Sequence, residues 1–393
     1  MGLMKQSELE FHDRGYGENK KEVCRDCVRN KDLQLYIKDN GYMSTCCYCN
    51  KKRKVVTIES LLEPIMSGIY FEYEHAEDSL GVCDGEYVGT TYSSYDLIHE
   101  ELVDELNIDN YNLLNDISNT MIDFCWCKIN PYMDKQYDTE FYTWQSFCNL
   151  VIKKVRYVFY KSNNTTENFN ALNPVDILET ISKYVEDLDL IKYYKPENRY
   201  FGHIYRGRMH NKNEELTIVE SFGPPPHEKA SANRMSAQGI PMFYGAFDEE
   251  TVLSEIYDEH YELATIASFN LKKPLLLLNL ARIKEMKLPS IFNEINRGKR
   301  SALQFLKLFA DNISNPVDTD HIVDYTPTQI VTEYFRHVFK TSHGEKLDGI
   351  IYNSTKNQGH KCVALFMTKE SFLNESEAML DLSTMKIKKY QKS

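Results

Sequence analysis

Arg206 and Arg208 stand two residues apart in "YRGR", and a strand would project both from one face because side chains alternate with period two. Paired guanidiniums suit a diphosphate, which arginine grips through paired hydrogen bonds; surface ion pairs with the chain's many carboxylates are the alternative. Further along, "ANRMSAQGIPMFYGAFDEETVLSEI" (232–256) sets Arg234, Tyr244 and Glu255 at spacings of ten and eleven residues. The stretch around Arg234 is too polar and turn-prone to be packing material, so this arginine belongs on a loop, where binding groups concentrate. Met242, Tyr244 and Ala246 share one strand face, and Asp248 then caps the helix that carries Glu255. A strand-end tyrosine and a carboxylate from the next helix can converge on one pocket. Taken singly, each reads equally well as a core aromatic and a solvated helix residue. Ser354, at the end of "DGIIYNS", is either a turn former or a hydroxyl offered to a ligand amide.

A second set of reactive side chains lies near the start. In "CRDCVRNKDLQLYIKDNGYMSTCCYCNKKRK", Cys24 and Cys27 are two residues apart, eighteen residues follow, and Cys46 and Cys49 repeat the spacing. Each CxxC turn brings two thiolates about one metal-width apart, and two such turns complete the tetrahedral shell that Zn²⁺ favours. Four cysteine ligands leave no open position, so the expected role is structural. Cys47 lies inside the second pair and can stand in for Cys46. Unrelated buried or redox thiols are the alternative.

The elements that must position these groups divide the chain into three expected parts. They are a zinc-binding four-cysteine segment at 1–57, a helical domain at 58–195 and a mixed α+β domain at 196–393. Apolar residues recur three and four apart in "YDLIHEELVDELNIDNYNLLNDISNTMIDF" and "WQSFCNLVIKKVRYVFYKS". "PVDILETISKYVEDLDLIKYY" continues the helical pattern, with Pro174 in its first turn and a polar loop at 161–173 before it. After "KPEN" the period changes. Strands are expected at 200–208, 241–247, 263–271, 274–280, 349–353 and 362–366, with helices over 248–259 and 326–340 opening on Asp248 and Thr326.

The chain has 393 residues, 42% of them hydrophobic, and a net charge of −12. The acidity is local: residues 61–195 hold 9 Lys and Arg against 24 Asp and Glu, whereas 196–393 hold 25 of each. Phosphates are repelled from such a segment, which argues against duplex nucleic acid as a partner and for a solvated or protein-docking acidic surface. The polar start "MGLMKQSELE" lacks the apolar core of a signal peptide, and "PLLLLNLA" is too short to span a bilayer. A soluble, cytoplasmic protein is expected, with its ten cysteines reduced or bound to metal.

In order and spacing, "YRGR", "ANRMSAQGIPMFYGA", "LSE" with Glu255, "YTPTQIVTEY" and "DGIIYNS" resemble the RES domain, a family named for its Arg, Glu and Ser, over about residues 199–370. The upstream part resembles the HEPN/RES-type N-terminal domain found ahead of some RES domains. The resemblance implies a fold akin to ADP-ribosyltransferases and an enzyme that destroys NAD⁺ at the nicotinamide–ribose bond, with water or phosphate as acceptor. Such enzymes act as bacterial toxins or anti-phage effectors. It also implies roles. Arg206 and Arg234 are the family's two arginines and hold the pyrophosphate with help from Arg208. Glu255 steadies the positive charge that builds on the sugar. Tyr244 flanks the nicotinamide, and Ser354 bonds its carboxamide or the ribose. One departure is Asn233, where the family usually has Gly, which predicts a loop less free to approach the pyrophosphate. ADP-ribosyl transfer to a macromolecule, or a non-catalytic zinc-containing interaction module, are the competing readings. Expected partners are NAD⁺, an antitoxin, sensor or trigger protein, and a second copy of the chain; no membrane and no specific nucleic acid are expected.

Overall fold

The computed structural model describes residues 14–130, 135–161, 173, 176–212, 216, 219–314 and 323–391. The polar start, most of the loop expected at 161–173, and Pro174 lie outside them. The chain forms two compact units: Met1–Lys135 with Leu288–Arg300, and Gln136–Lys287 with Ser301–Ser393.

In the first unit, β1 (Glu22–Cys24), α1 (Lys31–Asn40), β2 (Tyr42–Thr45) and β3 (Lys52–Thr57) form a small helix-bearing antiparallel sheet in the order β1-β3-β2. Helix α1 starts where the Asn30 side chain accepts from the Asp32 and Leu33 amides, and Thr57 caps α2 (Ile58–Glu72) through the Ser60 amide. Leu61, Leu62, Ile65 and Ile69 of α2 recur at helical spacing and are fully buried. Strand β4 (Tyr73–His75) follows. The helical run expected beyond residue 95 is broken at Asn107, whose φ of 50° is left-handed, a conformation asparagine tolerates. It resumes as α3 (Tyr111–Thr120), and β5 (Trp126–Lys128) then pairs with β4.

Residues 288–300 complete this unit from far along the chain. Phe292 seats on α2 at Gly68, where an added Cβ would come 2.6 Å from the Phe292 ring. Arg300 donates through Nε to Glu72 at 3.0 Å and through Nη1 to Glu105 at 3.2 Å.

The second unit is built on an eight-stranded mixed sheet. In chain order it holds α4 (Gln136–Asn149), α5 (Ile177–Asp187), β6 (Ile191–Tyr194), β7 (His203–His210), β8 (Phe243–Ala246), α6 (Glu249–Ile256), β9 (Leu263–Leu271) and β10 (Leu275–Asn279). Then come α7 (Arg300–Ser314, from Ser301 onward in this unit), α8 (Thr326–Glu333), β11 (Gly349–Asn353), β12 (Lys361–Leu365) and β13 (Leu380–Gln391). The strand order is β13-β9-β7-β8-β12-β11-β10-β6, with only β10 and β11 parallel. Leu276 and Leu278 face the helices, in a core with Trp144, Phe147, Phe305 and Phe309. Leu275 and Leu277 face the opposite way, with Phe243, Phe269 and Phe372, the period-two alternation of a sheet covered on both sides.

The α+β class expected of the C-terminal part is the one observed. Two local expectations are corrected and one strand is added. The helix expected to run to Tyr194 stops at Asp187, because Asp189 turns left-handed at φ 54° and Ile191–Tyr194 become an edge strand on β10. Strand β13, which no pattern had marked, covers the other edge through β9. Thr326 does not cap α8: its hydroxyl donates to the Val323 carbonyl, Tyr325 occupies the cap and Pro327 lies in the first turn. Among the described residues no helix is long and apolar enough to cross a membrane.

Candidate active site

The large sheet is nearly two sheets. Strand β7 pairs with β9 over eight successive positions and β8 pairs with β12 along its whole length, but β7 and β8 meet only where Ala246 faces Tyr205. Beyond that bridge the ladder is absent, and a cavity of about 460 Å³ opens there. Arg206 and Arg208 line it from β7, Tyr244 from β8, Glu255 from α6, and Arg234 from the loop before β8. Gly207, between the two arginines, lets α6 seat: a Cβ there would lie 2.5 Å from Ile256 and 2.6 Å from Val252.

Each side chain has a physical reason for its place. Arg206 Nη1 donates to the Tyr244 carbonyl at 2.8 Å, replacing with a side chain a backbone bond that the parted strands do not make. Its guanidinium stacks over Phe243 at 4.8 Å, and its buried Nε has no partner among the described residues. Burial, and then the charge of Arg208, push the Arg206 pKa down to about 9; the group stays cationic at neutral pH, and the downward push reflects the cost of burying it. Arg208 is held by the Ser221 carbonyl at 2.9 Å, and burial lowers its pKa as well. Neither arginine has a carboxylate within ion-pairing distance among the described residues. Among the described residues, Lys229, Arg234 and Lys356 bring the cations lining the cavity to five, against Glu255 as the single carboxylate there.

Glu255 is oriented from behind. Its Oε1 accepts the Ser354 hydroxyl at 2.6 Å and the Cys362 thiol at 3.8 Å, while Lys356 Nζ donates to its carbonyl at 3.0 Å. Ser354 in turn accepts the Asn357 amide at 2.9 Å, and Asn357 Nδ2 donates to Thr251 at 3.0 Å. Asp248 caps α6 as expected, through the Thr251 amide at 2.7 Å, and also receives His360 at 3.0 Å. The Tyr244 hydroxyl meets Ser236 Oγ at 2.8 Å, and burial pushes its pKa up to about 12, so it stays neutral at physiological pH.

Of the six residues singled out in this half of the sequence, Arg206, Arg208, Arg234, Tyr244 and Glu255 thus line one cavity. Ser354 does not line it; it is 5% exposed and its hydroxyl is directed to Glu255. Sequence reasoning missed Tyr352, which lines the cavity beside its cross-strand neighbour Cys362. Its signal was available, since Tyr352 lies two residues before Ser354, on the strand that Ser354 follows. Lys356 and Lys229 carried no such signal.

In the first unit, Cys24, Cys27, Cys46 and Cys49 place their sulfurs within 4.8 Å of one another. Three of the separations are 3.8, 3.6 and 3.7 Å. Tetrahedral bonds of about 2.3 Å to a zinc ion would set sulfurs roughly 3.8 Å apart, so the four fit a metal ion. Cys47 is excluded from the cluster: it is exposed, and its sulfur accepts the Glu22 amide at 3.2 Å.

Comparison with curated proteins and with solved structures gives no match. Comparison with protein families gives two: residues 39–165 match HEPN/RES N-terminal domain 1, a match that begins between the two cysteine pairs, and residues 204–382 match the RES domain. RES domains are in general terms NAD⁺-related toxin domains, which supports an NAD⁺-related role for this protein. By these two matches the chain carries a HEPN/RES N-terminal domain 1 followed by a RES domain.

Proposed function

We propose that this protein cleaves the bond between nicotinamide and ribose in NAD⁺. One observation carries the reading: among the described residues, two largely buried guanidiniums with no carboxylate partner share a cavity with one oriented carboxylate. Burying an unpaired cation costs several kcal/mol, and an incoming pyrophosphate offsets that cost with charge-assisted, forked hydrogen bonds. Arg206 and Arg234 hold the pyrophosphate, Arg208 supports them, and Tyr244 flanks the nicotinamide.

As the C–N bond breaks, its electron pair leaves with nicotinamide, which departs neutral, and the positive charge passes to the ribose. Glu255 sits opposite that charge, where a preorganised carboxylate is worth more than in water. Ser354 and Asn357 keep it from swinging away. A water oxygen then closes the sugar and releases one proton, or inorganic phosphate closes it as a phosphate ester. Incubating the purified protein with labelled NAD⁺, with and without phosphate, separates these outcomes from transfer of the label to a macromolecule. Glu255→Ala and Arg234→Ala should each lower nicotinamide release by at least about 100-fold without loss of fold. Turnover equal to wild type in both variants would remove the proposed site.

We assign zinc to the Cys24, Cys27, Cys46 and Cys49 cluster, in a structural role. Elemental analysis should find one zinc per chain that Cys24→Ser loses; full retention in that variant overturns the assignment. The division of labour follows the expected parts: residues 1–57 hold the metal, 58–195 carry the acidic helical surface, and 196–393 carry catalysis. An enzyme that depletes NAD⁺ in its own cytoplasm needs restraint, and the N-terminal part offers the surface for an antitoxin, a trigger protein or a second copy.

A further inference from the structure

Arg234 sits on a tight turn whose ends are tied together: the Asn233 amide donates to the Ser236 carbonyl at 2.8 Å, and the Ser236 amide donates back at 3.3 Å. Helix α8 grips this turn twice. Gln329 Nε2 donates to the Asn233 carbonyl at 2.8 Å and to the Ser236 carbonyl at 3.2 Å, one hydrogen to each end. One turn further along the helix, the Thr332 hydroxyl meets the sulfur of Met235 at 3.2 Å, with both residues buried. Arg234, between Asn233 and Met235, therefore has its backbone fixed on both sides.

This grip also accounts for the asparagine that precedes Arg234. Asn233 is not among the described residues with left-handed φ, so the turn requires no glycine. The asparagine side chain closes locally on the Ser231 carbonyl at 2.9 Å, and its own carbonyl is the one Gln329 takes. Only a neutral amide offers two hydrogens in this geometry: glutamate has none to give, and leucine would leave both carbonyls without this donor.

We infer that Gln329 is a positioning residue for Arg234, holding the turn so that the guanidinium is aimed before the pyrophosphate arrives. A loop ordered in advance pays no ordering entropy on binding. The inference rests on the reading of the cavity as a pyrophosphate site.

The test uses the full-length protein and ADP-ribose, which carries the pyrophosphate but no scissile bond to nicotinamide. Gln329→Leu should weaken ADP-ribose binding by calorimetry, and raise KM for NAD⁺, by about tenfold, while kcat changes less than about threefold. In an Arg234→Lys background the same substitution should cost less than about twofold, because its effect runs through Arg234. Wild-type affinity in Gln329→Leu, or equal losses in both backgrounds, overturns the inference. If Gln329→Leu does not fold, Gln329→Glu, nearly identical in shape, decides by the same measurements. A wild type that binds ADP-ribose but releases no nicotinamide removes the proposed reaction and leaves Gln329 to be judged by affinity; a wild type that binds neither ligand removes both.

Discussion

Arg300 and Arg206 are both largely buried guanidiniums, yet their surroundings are opposite. Arg300, in the first unit, has carboxylates at 3.0 and 3.2 Å; Arg206, in the second, has a carbonyl, an aromatic ring and an Nε unpartnered among the described residues. Among the described residues, carboxylates neutralise the first charge and none reaches the second. The first is an arrangement for holding a fold together; the second, on the function proposed above, is one for binding an anion, and the distinction lies in the partners rather than in the residue type.

The comparison can be broken most sharply by removing both charges. Arg206→Met should lower NAD⁺ turnover by at least about 100-fold while leaving the melting temperature equal or higher, since a buried cation with no carboxylate partner among the described residues is replaced by an apolar chain of similar volume. Arg300→Met should do the reverse, leaving turnover per folded molecule unchanged and destabilising the first unit by about 2 kcal/mol in a denaturant titration, because Glu72 and Glu105 lose their cation. Equal destabilisation by the two substitutions would end the contrast. A smaller effect is expected at Ser354. If it orients Glu255 rather than touching substrate, Ser354→Ala should lower kcat about tenfold with KM nearly unchanged, whereas a substrate contact would raise KM.

The smallest effect sharpens the comparison with a buried anion. Glu140 of α4 is 3% exposed and bonded to Gln136 and Tyr184, with its Oε2 unpartnered among the described residues. Burial raises its pKa above the unfolded value, so the unfolded chain releases that proton first, and stability contributed by the neutral acid is lost as pH rises through the folded pKa. Glu140→Gln should therefore raise the melting temperature by a few degrees at pH 8 and by less at pH 5. An identical shift at both values would contradict a raised pKa.

Much of the second unit was legible. Leu263–Leu271 and Gly349–Asn353 begin and end where the sequence places them, because alternating or apolar runs there are bounded by polar or turn-forming residues. Strand β6 was hidden because "LIKYY" satisfies a helical and an extended period equally, and the break before it is an aspartate rather than a glycine or proline. Strand β13 was hidden by Lys386, Lys388 and Lys389, which suit an exposed edge but dilute the strand pattern. The residues of the site were legible as types and spacings. The parting of β7 from β8, the turn of Ser354 toward Glu255 and the grip of Gln329 were not, because each depends on tertiary neighbours remote in sequence.

The first unit is stitched shut by residues 288–300, so during synthesis it stays open until the ribosome has passed Arg300. By then the arginines of β7 and the carboxylate of α6 have been made, but β11, β12 and Ser354 have not. The first unit is therefore complete before the large sheet, and any restraint that unit exerts is in place on a nascent chain before that chain has a working site.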